Sequence, residues 1–207
     1  MNKYQISGIV IVFLFYFAYL IKMMLQKKQG IQTNQLGKGE NKSKETIKVE
    51  NFLRVSSFII VPIEIISIIL NTRYLLSENV AKVSLVIGVI GVVVFITAMI
   101  TMGNSWRAGV PQEDETKIIT KGIYKISRNP AFLGFDLVYI GILLAFPNII
   151  LLIATTFAIT MLHLQILQEE KYLIKVFGEQ YEDYRKKTGR YFLFIWCLAV
   201  VTLPCSI

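Results

Sequence analysis

A chain of 207 residues with 54% hydrophobic and 17% charged side chains falls well below the roughly 25% charge of soluble domains, and its mean hydropathy is +0.55. This argues against a water-soluble globule and leaves only short polar stretches, so any site must be shared between helix ends and loops. The 22 Lys and Arg outnumber the 14 Asp and Glu to give a net charge of +8, which in such a chain reports loops facing anionic lipid rather than a nucleic-acid surface. Cys197 and Cys205 have no metal-ligand spacing and no second pair, which argues against zinc, a disulfide scaffold or thiol catalysis.

A hydrocarbon core of roughly 30 Å takes about 20 residues of helix. Residues 8–25, 52–70, 83–102, 131–146 and 149–167 therefore read as five transmembrane helices of an all-α polytopic membrane bundle. The first is followed by Lys-rich sequence with no small-residue cleavage pattern, so it belongs to the mature protein. Its Phe13, Phe15, Tyr16, Phe17 and Tyr19 suit either a lipid tail or plain lipid-facing bulk. The second carries Glu64 two residues after Pro62. A carboxyl at that depth needs a partner or a proton, and it reads equally as a substrate-handling group or as an interhelical hydrogen-bonding group beside a kink. The third is free of charge, and its Gly88, Gly91 and Ala98 allow close helix packing. The fourth is short, and it reaches full thickness only by tilting or by borrowing residues 128–130. Its Asp136 stands near the loop end, able to reach a pocket or to pair with a loop base. Pro147 and Asn148 then make a tight turn into the fifth helix.

Six basic residues fall in 26–51, five in 104–130 and six in 168–190, against one in the first seven residues and two in 71–82. The positive-inside bias places the three larger polar segments together on the cytoplasmic face and the N-terminus outside. Residues 191–203 are short for a span, and Tyr191, Phe192, Phe194 and Trp196 fit an interfacial or re-entrant segment.

Two polar stretches carry the chemistry. In the first, Gly109, Pro111 and Gly122 mark turns, residues 117–120 alternate like a short extended piece, Arg128 precedes Asn129 and Pro130, and Gly134 removes a side chain one turn into the next helix. A helix start with exposed amides favours a carboxylate, which Arg128 can grip with two prongs. The bland reading has Arg128 reaching lipid phosphate and Asn129 capping the helix. In the second, His163 and Glu170 are seven apart and nearly in line, whereas Glu169 follows Gln165 by one turn and points aside. Glu170 suits an amine-bearing ligand, while Glu169 is free to take a backbone amide or a base such as Lys171. His163, the one histidine, is placed either against a ligand or against a neighbouring helix. Beyond it Gly178 breaks the helix, and Tyr181, Tyr184, Arg185 and Arg190 form an aromatic and basic cap.

Together the stretches GIYKISRNPAFLG and EEKYLIKVFGEQYEDYRKKTGRY, joined by a helical hairpin, resemble the isoprenylcysteine carboxyl methyltransferase family and its relatives among phospholipid N-methyltransferases. The resemblance runs from Trp106 to Tyr191. Gly122, Tyr124, Arg128, Pro130, Phe132, Gly134, Glu169, Glu170, Phe177, Gly178, Tyr181 and Tyr184 take the places of that family's pattern, with Asn129 where it commonly has histidine. The resemblance implies an enzyme that binds S-adenosylmethionine in a membrane-embedded site and methylates an amphiphilic or lipid substrate, an isoprenylcysteine-like carboxylate or a lipid amine, without metal or nucleic acid. The implied cofactor contacts are Gly122, Tyr124, Arg128, Asn129, Pro130, Gly134, His163, Glu169 and Glu170, with Arg128 and Glu170 also placed in the reaction centre. Residues 1–103 are then the substrate-selecting half and 104–207 the cofactor-binding half. The absence of a glycine-rich dinucleotide fingerprint agrees with such a site. A nicotinamide-dependent membrane reductase and a small transporter using Glu64 and Asp136 are the competing readings.

Overall fold

The computed structural model describes residues 1–39, 42–71, 77–110 and 117–191. Among the described residues six α-helices follow one another: α1 (Lys3–Lys28), α2 (Lys44–Ile69), α3 (Glu78–Met102), α4 (Pro130–Ala145), α5 (Ile149–Phe177) and α6 (Glu179–Lys187). Of these, α1, α2, α3 and α5 are long and apolar enough to cross a membrane, and α4 is a shorter apolar helix of 16 residues. The protein is an all-α polytopic membrane helix bundle. The expected segment 191–203 falls outside the described residues except for Tyr191, as do Cys197 and Cys205.

The long helices overrun the apolar stretches that announce them, because hydrophobicity marks the part in lipid whereas capping marks the end of the hydrogen-bond ladder. Asn2 closes a capping box on α1. Ser43, Ser77 and Asn148 accept backbone N–H groups at the starts of α2, α3 and α5. At the other end of α5, Gly178 stops the helix with φ of 51°, a conformation that favours glycine. Residues 117–120, expected to be extended, have no regular structure. No strand among the described residues lies beside them to accept their backbone groups.

Helix α4 lies along α3, and α2 lies along α5. The α3–α4 contact runs backbone to backbone. A Cβ added at Gly141 would stand 2.6 Å from the Gly88 nitrogen, one at Gly91 would stand 2.8 Å from the Gly134 carbonyl, and one at Gly134 would meet Phe95 Cβ at 2.7 Å. Lipid is as apolar as leucine, so association inside the bilayer depends on such close packing rather than on expulsion of water. Gly88 and Gly91 thus serve the internal packing read from the sequence. Gly134, by contrast, faces α3 rather than a ligand, because its missing side chain makes room for Phe95.

The aromatic residues of α1 divide by face. Phe13 and Phe17 stack on each other at 5.3 Å and are exposed, in line with lipid-facing bulk. Phe15 is fully buried against Phe95 and Phe135. Glu64 is fully buried in α2, and both its carboxyl oxygens lack a hydrogen-bond partner among the described residues, so the interhelical bond, one of its two readings, is not formed there. Asp136 Oδ1 is also buried and unpartnered, and Asp136 lines neither of the cavities described below.

The three basic segments do meet at one end of the bundle. Gln35 N donates to Ala108 O at 2.8 Å and Ala108 N to Thr33 O at 2.9 Å. Gln26 Nε2 reaches Trp106 O at 3.1 Å, and Thr46 Oγ1 donates to Gln168 Oε1 at 3.0 Å. At the opposite end Gln5 Nε2 donates to the Ile68 and Ile69 carbonyls, and Asn148 Nδ2 to Ser67 Oγ.

The α3–α4 contact leaves no room for an added methyl group. Gly141→Ala places a methyl group against backbone atoms that cannot rotate away, and overpacking of this kind costs typically about 1–3 kcal/mol. The expected result is a lowered thermal unfolding midpoint in detergent. Leu144→Ala, at an exposed position of the same helix, serves as the control for the detergent-solubilised fold.

Candidate active site

The site begins with a backbone turn. Gly122, at φ of 59°, opens a 3-10 turn, Gly122–Lys125, that buries Tyr124. The chain then passes through Ser127 and Arg128 to Pro130, the first residue of α4, where a missing N–H does no harm. Asn129 occupies the cap position without bonding its side chain to the helix. Its Nδ2 points instead to Glu170 Oε1 at 3.4 Å and to Arg190 O at 3.3 Å, so it does not act as the helix cap weighed above.

Glu170 is the centre of this cluster. Arg128 Nη2 donates to its Oε1 at 2.8 Å and Arg190 Nη2 to its Oε2 at 2.8 Å, with Arg128 and Glu170 side chains only 7% and 5% exposed. Arg128 Nη1 also donates to the carbonyls of Thr188, at 2.5 Å, and Arg185, at 3.2 Å. Hydrogen bonding to Glu170 holds the Arg190 guanidinium above its ordinary pKa. The segment after α6 is thereby tied down: Arg128 N donates to Gly189 O at 2.9 Å, Ser127 Oγ to Arg190 O at 3.2 Å, and Tyr184 hydroxyl to Tyr124 O at 2.6 Å. Tyr181 is almost fully buried beneath the strap, and burial pushes its phenol up to about 12.

Two cavities lie beside this cluster. A smaller one of about 130 Å³ has a mostly apolar wall but is polar in the side chains of Arg128, Asn129 and Glu169, which stand there among Trp106, Tyr124 and Tyr181. A larger, mainly apolar one of about 600 Å³ runs between α1 and α2, where Tyr16, Tyr19, Leu53, Val61 and Phe135 contribute to its wall. Trp106, Arg107, Gly109, Ala131, Phe132 and Glu169 border both. Glu169 is the acidic residue at this junction, and its Oε1 accepts from Gln165 Nε2 at 3.0 Å. The Gln165 Oε1 atom is buried without a partner.

Of the residues expected from sequence, Tyr124, Arg128, Asn129 and Glu169 come together on the polar cavity. Glu170 lies directly behind them, occupied by two arginines and bordering neither cavity. Gly122 and Pro130 shape the turn, and Gly134 belongs to helix packing. His163 shares a hydrogen bond of 2.8 Å with the Tyr191 hydroxyl and lines neither cavity. The line from His163 to Glu170 exists, but the successive residues Tyr191 and Arg190 cover it. Lys171 pairs with Glu45 at 3.5 Å rather than with Glu169. Sequence reasoning missed Trp106, Gln165 and the pairing of Arg190 with Glu170. The spacing of Gln165 and Glu169 by one helical turn was the available signal for that contact. Among the described residues, no group of three or more His, Cys, Asp or Glu side chains could hold a metal ion.

The chain is a membrane helix bundle whose two cavities share a wall at its loop end. A model of the isoprenylcysteine carboxyl methyltransferase family matches residues 83–175. The chain is 32% identical over 111 residues to a probable protein-S-isoprenylcysteine O-methyltransferase of Oryza sativa subsp. indica, covering 52% of this chain and 58% of that protein. It is 33% identical over 104 residues to protein-S-isoprenylcysteine O-methyltransferase B of Arabidopsis thaliana, covering 48% and 52%. The Saccharomyces cerevisiae protein-S-isoprenylcysteine O-methyltransferase is 35% identical over 95 residues, covering 44% and 40%. A solved structure of a eukaryotic intramembrane Ras methyltransferase, isoprenylcysteine carboxyl methyltransferase, shares the fold with a TM-score of 0.56 at 22% identity, over 87% of this chain and 63% of that one. The middle of the chain, residues 83–175, is thus similar to the isoprenylcysteine carboxyl methyltransferase family. The chain spans less than two thirds of the length of these curated relatives.

The geometry separates the two neighbouring acids. Glu170→Gln leaves two guanidinium groups without their shared counter-charge, and breaking a buried pair costs on the order of 3–5 kcal/mol. A marked fall in thermal stability without any ligand is expected, measured in detergent. Glu169→Gln, which breaks no ion pair given by the structure, is expected to unfold close to the parent.

Proposed function

We propose that this chain is an S-adenosylmethionine-dependent methyltransferase acting on an amphiphilic, membrane-associated substrate, either an isoprenylcysteine-like carboxylate or a lipid amine. The observation that carries the reading is the position of Glu169, where a polar cavity meets an apolar one. The family-model match over residues 83–175 and the names of the curated relatives support the reaction class.

The residues present fit the cofactor. Glu169 offers a carboxylate to an ammonium group, Arg128 borders the same cavity, and Trp106 and Phe132 provide aromatic surface for the cation and the base. Bound there, S-adenosylmethionine supplies a methyl group already activated on a sulfonium, so the protein contributes orientation and exclusion of water. Glu170 acts from behind by fixing the Arg128 guanidinium plane, and we assign the ammonium contact to Glu169 rather than to Glu170. The shared wall of Trp106, Ala131 and Phe132 brings the two ligands together. A carboxylate acceptor needs no base, whereas an amine acceptor releases a proton, for which Glu169 is the nearest acidic residue on both walls.

Residues 1–103 supply most of the apolar wall and 104–207 most of the polar one, which supports substrate selection in the first half and cofactor binding in the second. Leu20 and Phe58 border the apolar cavity and are also exposed on the bundle surface, which supports passage of the amphiphile from the bilayer between α1 and α2. With α4 counted as a tilted fifth crossing, the basic loops and the polar cavity face the cytoplasm across the cell membrane.

The test is calorimetric binding of S-adenosylhomocysteine, followed by transfer of labelled methyl from the cofactor into membrane lipid extracts and S-prenylated N-acetylcysteine, with mass identification of the product. Saturable binding and a labelled amphiphile are expected. Glu169→Gln is expected to weaken cofactor-product affinity about 30-fold or more, since losing one partner of a buried charged contact costs roughly 2–5 kcal/mol. Binding of reduced nicotinamide nucleotide in place of S-adenosylhomocysteine would refute the assignment.

A further inference from the structure

Glu50 lies on α2 at the loop end, fully buried and outside the span matched by the family model. Its Oε2 accepts from Gly37 N at 2.6 Å and its Oε1 from Val110 N at 2.9 Å. Lys42 Nζ stands 2.9 and 2.7 Å from the two oxygens and donates as well to Gln35 O at 2.6 Å. The Lys42 and Glu50 side chains are 1% and 0% exposed.

The two amides that Glu50 gathers belong to two different loops. Residues Asn34 and Leu36 of one loop, and Trp106, Arg107 and Gly109 of the other, border the apolar cavity, and the last three border the polar cavity as well. At Gly109 the fit is tight: φ is 96°, and a Cβ there would stand 2.9 Å from Leu36 N and 3.1 Å from Glu50 Oε1. Desolvated charges need their partners in good geometry, and a buried amide left without an acceptor is unfavourable. A carboxylate has two oxygens and can therefore serve both amides while neutralising Lys42. A single-acceptor side chain cannot. The arrangement sets the distance between the two loops at the place where their surface becomes the wall common to both cavities.

We infer that Glu50 is a positioning residue for methyl transfer, holding the segment from Trp106 to Gly109 against the first loop so that this wall meets both ligands. This rests on the proposed methyltransferase function. It assigns Glu50 no contact with either ligand: its action passes through the Val110 and Gly37 amides.

The test uses the full chain in detergent, comparing Glu50→Gln with Lys42→Met. Both variants lose the ion pair, but Lys42→Met keeps a carboxylate for the two amides whereas Glu50→Gln cannot accept from both. Three quantities are measured for each: thermal midpoint, S-adenosylhomocysteine affinity by calorimetry, and KM for S-farnesylated N-acetylcysteine against kcat. Glu50→Gln is expected to weaken cofactor-product affinity and raise KM by about tenfold each, equivalent to roughly 1.4 kcal/mol apiece, with kcat at saturation changed much less. Lys42→Met is expected to stay within about threefold of the parent in both binding terms, although its thermal midpoint also falls. Gly109→Ala, which leaves the ion pair in place but pushes on the same contact, is expected to show the paired loss and keeps the question decidable if Glu50→Gln does not fold. Equal losses in Glu50→Gln and Lys42→Met in step with stability, or parental binding in Gly109→Ala, would overturn the inference while leaving the function standing. A parent that binds neither ligand overturns both.

Discussion

The loop end of this bundle depends on a carboxylate shared between two guanidinium groups. Glu170 at the end of α5 accepts from Arg128 before α4 and from Arg190 after α6, so three segments distant in sequence close around one buried charge. The remaining N–H groups of Arg128 go to carbonyls at the end of α6, leaving the strap little freedom. Such a cluster is costly to desolvate and unforgiving of a missing member. Its value here is geometric: it fixes the plane of Arg128 at the edge of the polar cavity.

Two adjacent glutamates are thereby given different environments. Residues 169 and 170 differ by about 100° around a helix, which turns one carboxylate into the arginine cluster and the other toward the cavities. Glu169 keeps a single described hydrogen-bond partner, Gln165, and stands where polar and apolar spaces join. The proposed transfer from a charged cofactor to an amphiphile needs such a border, because neither ligand can be desolvated at the other's expense.

Beneath the site, the spans are held by contacts of another kind. The glycines of α3 and α4 let the two backbones approach until a single added carbon would collide, the form of cohesion available where lipid removes the hydrophobic drive between helices. On the other side of the bundle, α1 and α2 leave the apolar cavity between them. The paired loops above that opening are joined by Glu50 and Lys42, a buried ion pair where apolar side chains would have sufficed for cohesion alone.

The sequence by itself determined the membrane class, four of the long helices and the meeting of three basic segments at one end, because twenty-residue apolar runs and loop charge are consequences of the bilayer's thickness and surface potential. It also marked Arg128, Asn129, Glu169 and Glu170 as one neighbourhood, since a hairpin that returns the chain to the same side leaves them nowhere else to go. Which acid faces the cavity, and that Gly134 and His163 do not, was decided only by tertiary structure. Helical spacing gives the angle between two side chains on one helix but not what stands opposite them. Phe95 claims the space at Gly134, Tyr191 claims His163, and two arginines claim Glu170. Each of these partners is remote in sequence, and no local pattern records contacts formed when separate helices close on one another.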